Sequence, residues 1–290
     1  MRRHVLAATA LAVGMAACGG DAITIEGDCD YLFGAPDEST GLGADVCRPE
    51  LRCDYRDPFA PPDYAEADIE ALRSLELANP PDLLPDSPYE DASLVPADTG
   101  GVCAVTGTGG GGYRLDTFGT ADEAAAAGAT VTHSGACGAC SSLQDLAVYL
   151  SIPNLGDPVR RCALIELGNN PAATLACITE LGFTNACAQT WGFNSTNTRA
   201  SCLVECLDAL DEPNHLPNGS LNACLACDEV NSGPTFKAVA GRTRRRSGLS
   251  SAIARPCLDA QGAPAVYPVE HYYFVEAGNR RLHSTRATAR

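Results

Sequence analysis

The sequence predicts a disulfide-rich, mainly α fold with a minor β component, an α+β domain, preceded by a disordered acidic N-terminal segment. Three observations lead there. The 290 residues hold fifteen cysteines, ten of them between Cys137 and Cys257. From Asp157 onward apolar residues recur at helical spacing, whereas alternating β-prone runs are confined to positions near 113–133 and 265–275. Acidity is uneven: residues 18–100 carry twenty acids against four arginines, so nearly all of the net charge of −16 sits in the first third.

The first element is an export signal over residues 1–17. Positive charge at Arg2 and Arg3 is followed by the apolar run Val5 to Ala17, a length suited to secretion and too short to span a bilayer. Met15-Ala16-Ala17-Cys18 resembles the bacterial lipobox. Similarity to bacterial lipoproteins implies cleavage before Cys18, lipid modification of Cys18 carrying palmitate-type acyl chains, and attachment to a membrane. Gly19, standing where an aspartate implies inner-membrane retention, implies the outer membrane or cell surface. Ordinary cleavage near Ala17 is the competing reading. Cysteine arithmetic favours lipidation, because setting Cys18 aside leaves an even fourteen, able to pair fully in an oxidising compartment.

Residues 18–112 read as an acidic, proline-rich stalk or linker. Between Asp54 and Thr99 prolines and acids crowd out apolar residues, and such a segment cannot offset its ordering entropy. Ala65 to Leu77 is the exception, with Ile69, Leu72, Leu75 and Leu77 near helical spacing. The stretch CRPELRC, with Cys47 and Cys53, and the later GGVC at Cys103 resemble small cysteine-rich modules of exported bacterial proteins. That resemblance implies two bridges among Cys29, Cys47, Cys53 and Cys103. Gly107 to Gly112 reads as a flexible joint and sets the main boundary; without a Gly-Lys-Ser/Thr ending it does not qualify as a phosphate loop.

The compact domain is expected over residues 113–276. Tyr113 to Phe118 alternates as a strand, Thr120 to Ala127 is a capped helix stopped by Gly128, and Ala129 to His133 is a second strand. Helices follow at Ser142 to Tyr149, around Val159 to Leu167, from Asn170-Pro171 to Gly182, after Thr184, and from Asn197 to Leu210. In the last, Leu203, Cys206, Leu207 and Leu210 fall at i, i+3, i+4 and i+7, which predicts a buried face. The ten cysteines from Cys137 to Cys257 are expected to form five bridges. Ala265 to Val275 reads as an edge strand because of Pro268. Residues 277–290 form an arginine-rich tail.

Two segments nominate chemistry. Cys137-Gly138-Ala139-Cys140, after a strand and before a helix, resembles the thioredoxin active-site segment, with Cys137 as nucleophile, Cys140 as resolving thiol and His133 as tuning base. Ala139 stands in place of that family's proline, no tryptophan precedes Cys137, and so many neighbouring cysteines favour a structural bridge. Cys224 and Cys227 form a second C-x-x-C, but more than eighty residues separate the two pairs, so oxidation is favoured over zinc. His215, His271 and His283 have no hydrolase spacing, and Ser134, Ser141 and Ser142 lack the nucleophile-elbow setting. The run Arg242, Arg244, Arg245 and Arg246 offers guanidinium forks suited to an anion. Without interleaved aromatics it does not read as a nucleic-acid contact.

The sequence therefore reads as a membrane-anchored, exported structural or binding protein of the cell envelope. It calls for no cofactor and no metal, and its candidate partner is an anionic envelope polysaccharide or protein at the arginine loop. The alternative is a periplasmic thiol-disulfide oxidoreductase using Cys137 and Cys140, so whether the chain is an enzyme stays open, with the binding role favoured.

Overall fold

A computed structural model of the chain describes residues 64–97, 100–152, 154–165, 170–216, 221–249, 269 and 271. The signal and Cys18, the first cysteine module, Cys257, most of the 265–275 run, His283 and the tail lie outside the described residues.

Helix α1 (Glu66–Arg73) begins where the Asp68 carboxylate accepts the Ala65 N–H at 3.1 Å. It packs on α3 (Leu143–Ser151) and buries Leu72 in the core. The expected helix thus exists but stops at Ser74, and the following Glu76–Leu77 become β1, parallel to β3 (Gly112–Phe118). Beyond β1, residues 78–97 cross the domain as a strap. Prolines deny this strap a regular ladder, and side-chain amides replace it. Asn79 exchanges two bonds with the Leu115 peptide group, at 2.8 and 3.0 Å, and Gln189 does the same with Leu84, at 2.9 and 3.0 Å. Of the linker expected to be extended or disordered with one helix, residues 64–97 are helical and then extended and fixed in place, because long-range amide pairs supply partners that composition does not reveal.

The sheet runs β1-β3-β2-β4, with β2 (Val102–Gly109) antiparallel to both β3 and β4 (Thr130–Ser134). Strand β2 was not legible as a strand. Its Cys103, Ala104 and Val105 are all buried, so it lacks the alternation of a half-exposed strand. On one face Ala104 meets Ala124 and Ala129, through α2 (Ala121–Ala126); on the other Cys103 and Val105 join the main core with Tyr113, Leu143, Leu146, Ile178 and Phe183. The Gly107 to Gly112 run is the hairpin between β2 and β3, with Gly109, Gly110 and Gly111 at positive φ. The joint expected there is corrected, because Val105 and Leu115 pair across it in one sheet.

Five helices complete the domain: α4 (Gly156–Ile165), α5 (Pro171–Glu180), α6 (Asn185–Asp208), α7 (Ala223–Asn231) and α8 (Gly233–Ala240). Asn170, Thr184 and Asn222 cap α5, α6 and α7 by accepting from backbone N–H groups of the first turn. The two helices expected after Thr184 and from Asn197 are one, broken at Cys202 (φ −133°, ψ 18°).

Bridges join Cys103–Cys137, Cys140–Cys187, Cys162–Cys177, Cys202–Cys227 and Cys206–Cys224. This corrects two expectations. Cys103 does not pair with the first cysteine module, and Cys137 does not pair within the 137–257 set. Sheet register explains both: Cys103 lies beside His133 on β4, four residues before Cys137, so the two sulfurs meet where β4 ends.

Candidate functional site

The segment around Cys137 and Cys140 is tied to three neighbours, β2, α6 and α8. The two sulfurs belong to different bridges, whereas vicinal exchange chemistry needs them to bridge each other. The intervening residues instead bond the end of α8: Ala139 N–H to Val239 O and Cys140 N–H to Ala240 O, both at 2.9 Å. Gly138 and Gly241 permit that approach, for a Cβ on Gly138 would lie 2.5 Å from Val239 O. His133 is fully buried. Its Nε2 lies 2.7 Å from Ser141 Oγ, which accepts from the Gly138 N–H, and its Nδ1 faces Ser134 O at 2.9 Å. That serine–histidine contact has a catalytic distance without access, since Ser141 is buried too and a carbonyl, not a carboxylate, meets Nδ1. Burial, reinforced by Arg242, holds the imidazole well below its ordinary pKa, so it is neutral.

Among the described residues Arg242 is the largest fully buried side chain. Its guanidinium donates to Cys140 O, Thr132 O, Thr132 Oγ1, Ser141 O and Ser247 Oγ at 2.7–3.2 Å, tying β4, the loop before α3 and the turn after α8 together. Arg244 donates to the carbonyls of Tyr149 and Ile152, freed at the end of α3, and its guanidinium lies 5.8 Å from the Tyr149 ring centroid. Arg246 reaches Lys237 O and Gly241 O, both at 3.3 Å, and Arg245 is half-buried. Of the four arginines expected to contact an anion, Arg242 is buried and committed to carbonyls and hydroxyls inside the protein, whereas Arg244, Arg245 and Arg246 keep part of their surface in solvent, with Arg244 and Arg246 also meeting carbonyls at the ends of α3 and α8. His271 and His215 are buried as well, and His271 Nε2 donates to Ser247 O at 2.8 Å.

The exposed chemistry lies elsewhere, in a cleft of about 180 Å³ between α4, α6 and α7. Antiparallel α6 and α7 are riveted by two bridges, Cys202–Cys227 and Cys206–Cys224. Because the cysteines turn toward α7, the leucines about a quarter-turn round α6 do not. Leu203, Leu207 and Leu210 are 43%, 51% and 48% exposed and line the cleft, facing Leu164 of α4, itself 47% exposed. The buried face expected for Leu203, Leu207 and Leu210 is thus corrected. Cys224 and Cys227 are spent on these rivets, and no cluster of possible metal ligands occurs among the described residues.

The other end of the cleft is polar. Asn194, Ser195, Thr198 and Arg199 precede the leucines on α6, Asp228 of α7 bonds to two of them, and Arg160 of α4, paired with Asp157 at 3.7 Å, also lines the cleft. Asp228 accepts from the Thr198 hydroxyl and the Asn194 amide, and burial pushes its carboxyl up. Tyr89 of the strap shares its hydroxyl proton between Asn194 Oδ1 at 2.8 Å and Ser232 O at 3.0 Å. Trp191, at the α6 start of the cleft, is held between Phe183 and Phe236, with ring centroids 6.2 and 4.5 Å away. The sequence signal that marks this cleft is a conflict. A helix with cysteines on one stripe and leucines on the next has more to bury than one neighbour covers.

Among the described residues no helix is long and apolar enough to cross a membrane. Comparison with curated proteins and with solved structures gives no match. Residues 171–262, which take in α5 to α8 and the arginine turn, match the model of a family of unknown function (DUF8771).

Proposed function

We propose that the chain is an exported, lipid-anchored protein of the cell envelope whose disulfide-stapled domain binds an apolar ligand in the α4–α6–α7 cleft. The observation that carries this reading is the row Leu203, Leu207 and Leu210, left in solvent beside two bridges that fix the helices around it. Leaving such a row exposed costs solubility, and contiguous apolar surface of this kind marks binding sites. The five described bridges support an oxidising compartment, and the lipobox-like Met15-Ala16-Ala17-Cys18 supports attachment at its membrane. The separate bridges of Cys137 and Cys140 favour this reading over the redox alternative.

Two experiments test the two halves. Cells fed labelled palmitate should label the wild-type chain and not Cys18→Ala; equal labelling would refute anchoring at Cys18. An apolar reporter dye should bind the purified protein at one saturable site and be lost in Leu207→Asp. Undiminished dye binding in that variant would remove the cleft from the proposal.

A further inference from the structure

The two rivets between α6 and α7 are nested: Cys202–Cys227, with a sequence separation of 25, encloses Cys206–Cys224, with a separation of 18. Once the inner bridge is made, the outer one closes only the short stretches 202–206 and 224–227. The stabilisation a bridge gives grows with the loop it closes, so the outer bridge gives less than its own separation suggests. Opening it leaves the helices tied at Cys206 and Cys224.

The outer bridge also holds the break in α6. Cys202 has φ −133° and ψ 18° with helix on both sides, and no proline or glycine stands between Phe193 and Asp208 to cause a kink. A residue inside a helix takes helical dihedrals unless something holds it off them. At this residue the tie is the bond to Cys227.

The surroundings of the two sulfurs suit thiol exchange. Cys202 is fully buried, whereas Cys227 is half-buried and Asn231 beside it is exposed, so an attacking thiolate meets the Cys227 sulfur. The Asn231 Nδ2 lies 3.3 Å from Cys227 Sγ and 3.7 Å from Cys202 Sγ. An N–H donor over both sulfurs stabilises the negative charge on whichever one leaves. The Ser201 carbonyl, 3.7 Å from Cys227 Sγ, is placed to accept from that thiol once the bridge is open.

We propose that Cys202–Cys227 is a redox switch: a dithiol reductant opens it while the other four described bridges stay closed, and α6 then becomes a continuous helix. The reductant's first thiolate attacks Cys227 Sγ, the S–S bond breaks, and the Cys202 thiolate leaves and takes a proton. Its second thiolate attacks the reductant's own sulfur in the mixed disulfide and releases the Cys227 thiolate, which also takes a proton. The reductant departs as its disulfide, so two electrons and two protons pass to the protein. Trp191, Asn194 and Thr198 precede the break and Leu203 and Leu207 follow it, so closing the break turns the leucine row relative to the polar end of the cleft. The switch goes beyond the binding reading and does not depend on what the cleft holds.

The exported, oxidised chain, made with isotope-labelled cysteine, is titrated with dithiothreitol at constant pH and followed by NMR. Each cysteine's Cβ shift reports its oxidation state, and the Cα shift of Cys202 reports its dihedrals. Cys202 and Cys227 should become thiols first and together, with the other described pairs still oxidised, and the Cys202 Cα shift should move into the helical range. Asn231→Ala should slow this opening about tenfold, and Asn231→Asp, similar in shape but anionic, should slow it at least as much. Cys227→Ser should give the helical Cys202 shift with no reductant present. If another pair opens first, or all open together with loss of the fold, the switch is refuted. It is refuted equally if Cys202 keeps its non-helical shift after its bridge has opened and in Cys227→Ser, for the bridge is then only a rivet. None of these outcomes alters dye binding by the oxidised protein, which tests the ligand reading separately.

Discussion

The Gln189 carboxamide and the Leu84 peptide group face each other as two strands would, Leu84 N–H giving to Oε1 at 2.9 Å and Nε2 giving to Leu84 O at 3.0 Å. One side chain of α6 thereby satisfies both polar groups of a residue in the proline-rich strap. Gln189→Ala removes both partners at once, a cost of about 1–3 kcal/mol, concentrated in the strap. Hydrogen exchange should show the Leu84 amide losing protection while α3 amides keep theirs. Equal loss in both would mean that the strap is not an independently held element.

Arg242 supports a second expectation. Replacing it by alanine strands the carbonyls of Thr132, Cys140 and Ser141, each formerly met by the guanidinium. Breaking a buried network of this kind costs about 3–5 kcal/mol. Arg242→Lys should not rescue it, since one ammonium cannot span acceptors on three segments. Urea midpoints at neutral pH decide this: a lysine variant with wild-type stability would show that charge, not fork geometry, is what the site needs.

Much of the fold was legible because local signals agreed. The Thr120, Asn170 and Thr184 caps mark α2, α5 and α6, and alternation in Tyr113 to Phe118 marks β3. What escaped depends on partners remote in sequence. Strand β2 is covered on both faces, and the strap is ordered by Asn79 and Gln189 rather than by its own composition. Helices α7 and α8 were not foreseen; α7 owes its place to Cys224 and Cys227, whose partners spacing alone cannot name. The candidate site was missed for the same reason. Helical periodicity predicts which leucines share a stripe on α6, and only the disulfide pairing decides that the neighbouring stripe takes the interior.

That pairing is itself a prediction. Peptide mapping under non-reducing conditions should recover Cys103 linked to Cys137 and Cys140 linked to Cys187, with no peptide closed between Cys137 and Cys140. Cys140→Ser with Cys187→Ser should destabilise the protein by about 2–5 kcal/mol, because that bridge ties the loop before α3 to α6 in the core. Recovery of a Cys137–Cys140 bridge would restore the redox reading.

Stability should also follow pH through three buried groups with opposed signs. Burial and Arg242 lower His271 from 6.5 to about 3, and burial, Arg242, Arg246 and His271 itself lower His133. Both are neutral in the fold, so their contribution is complete above pH 6.5 and is lost as pH falls toward their folded values. Asp145 runs the other way. Burial raises it to about 6, against the bonds it accepts from Ser142 and Thr184, so its contribution is present below 3.8 and lost as pH rises through about 6. Between pH 4 and 6 the histidines take up protons on unfolding, so they make stability rise with pH, while Asp145 and the likewise raised Asp228 oppose that rise by releasing theirs. Asp145→Asn deletes one opposing proton, so its slope over the same window should be steeper than that of the wild type by up to about 1.4 kcal/mol per unit, the value for one proton. Denaturant midpoints measured at half-unit steps give the comparison, and an unchanged slope in Asp145→Asn would show that Asp145 stays ionised in the folded protein.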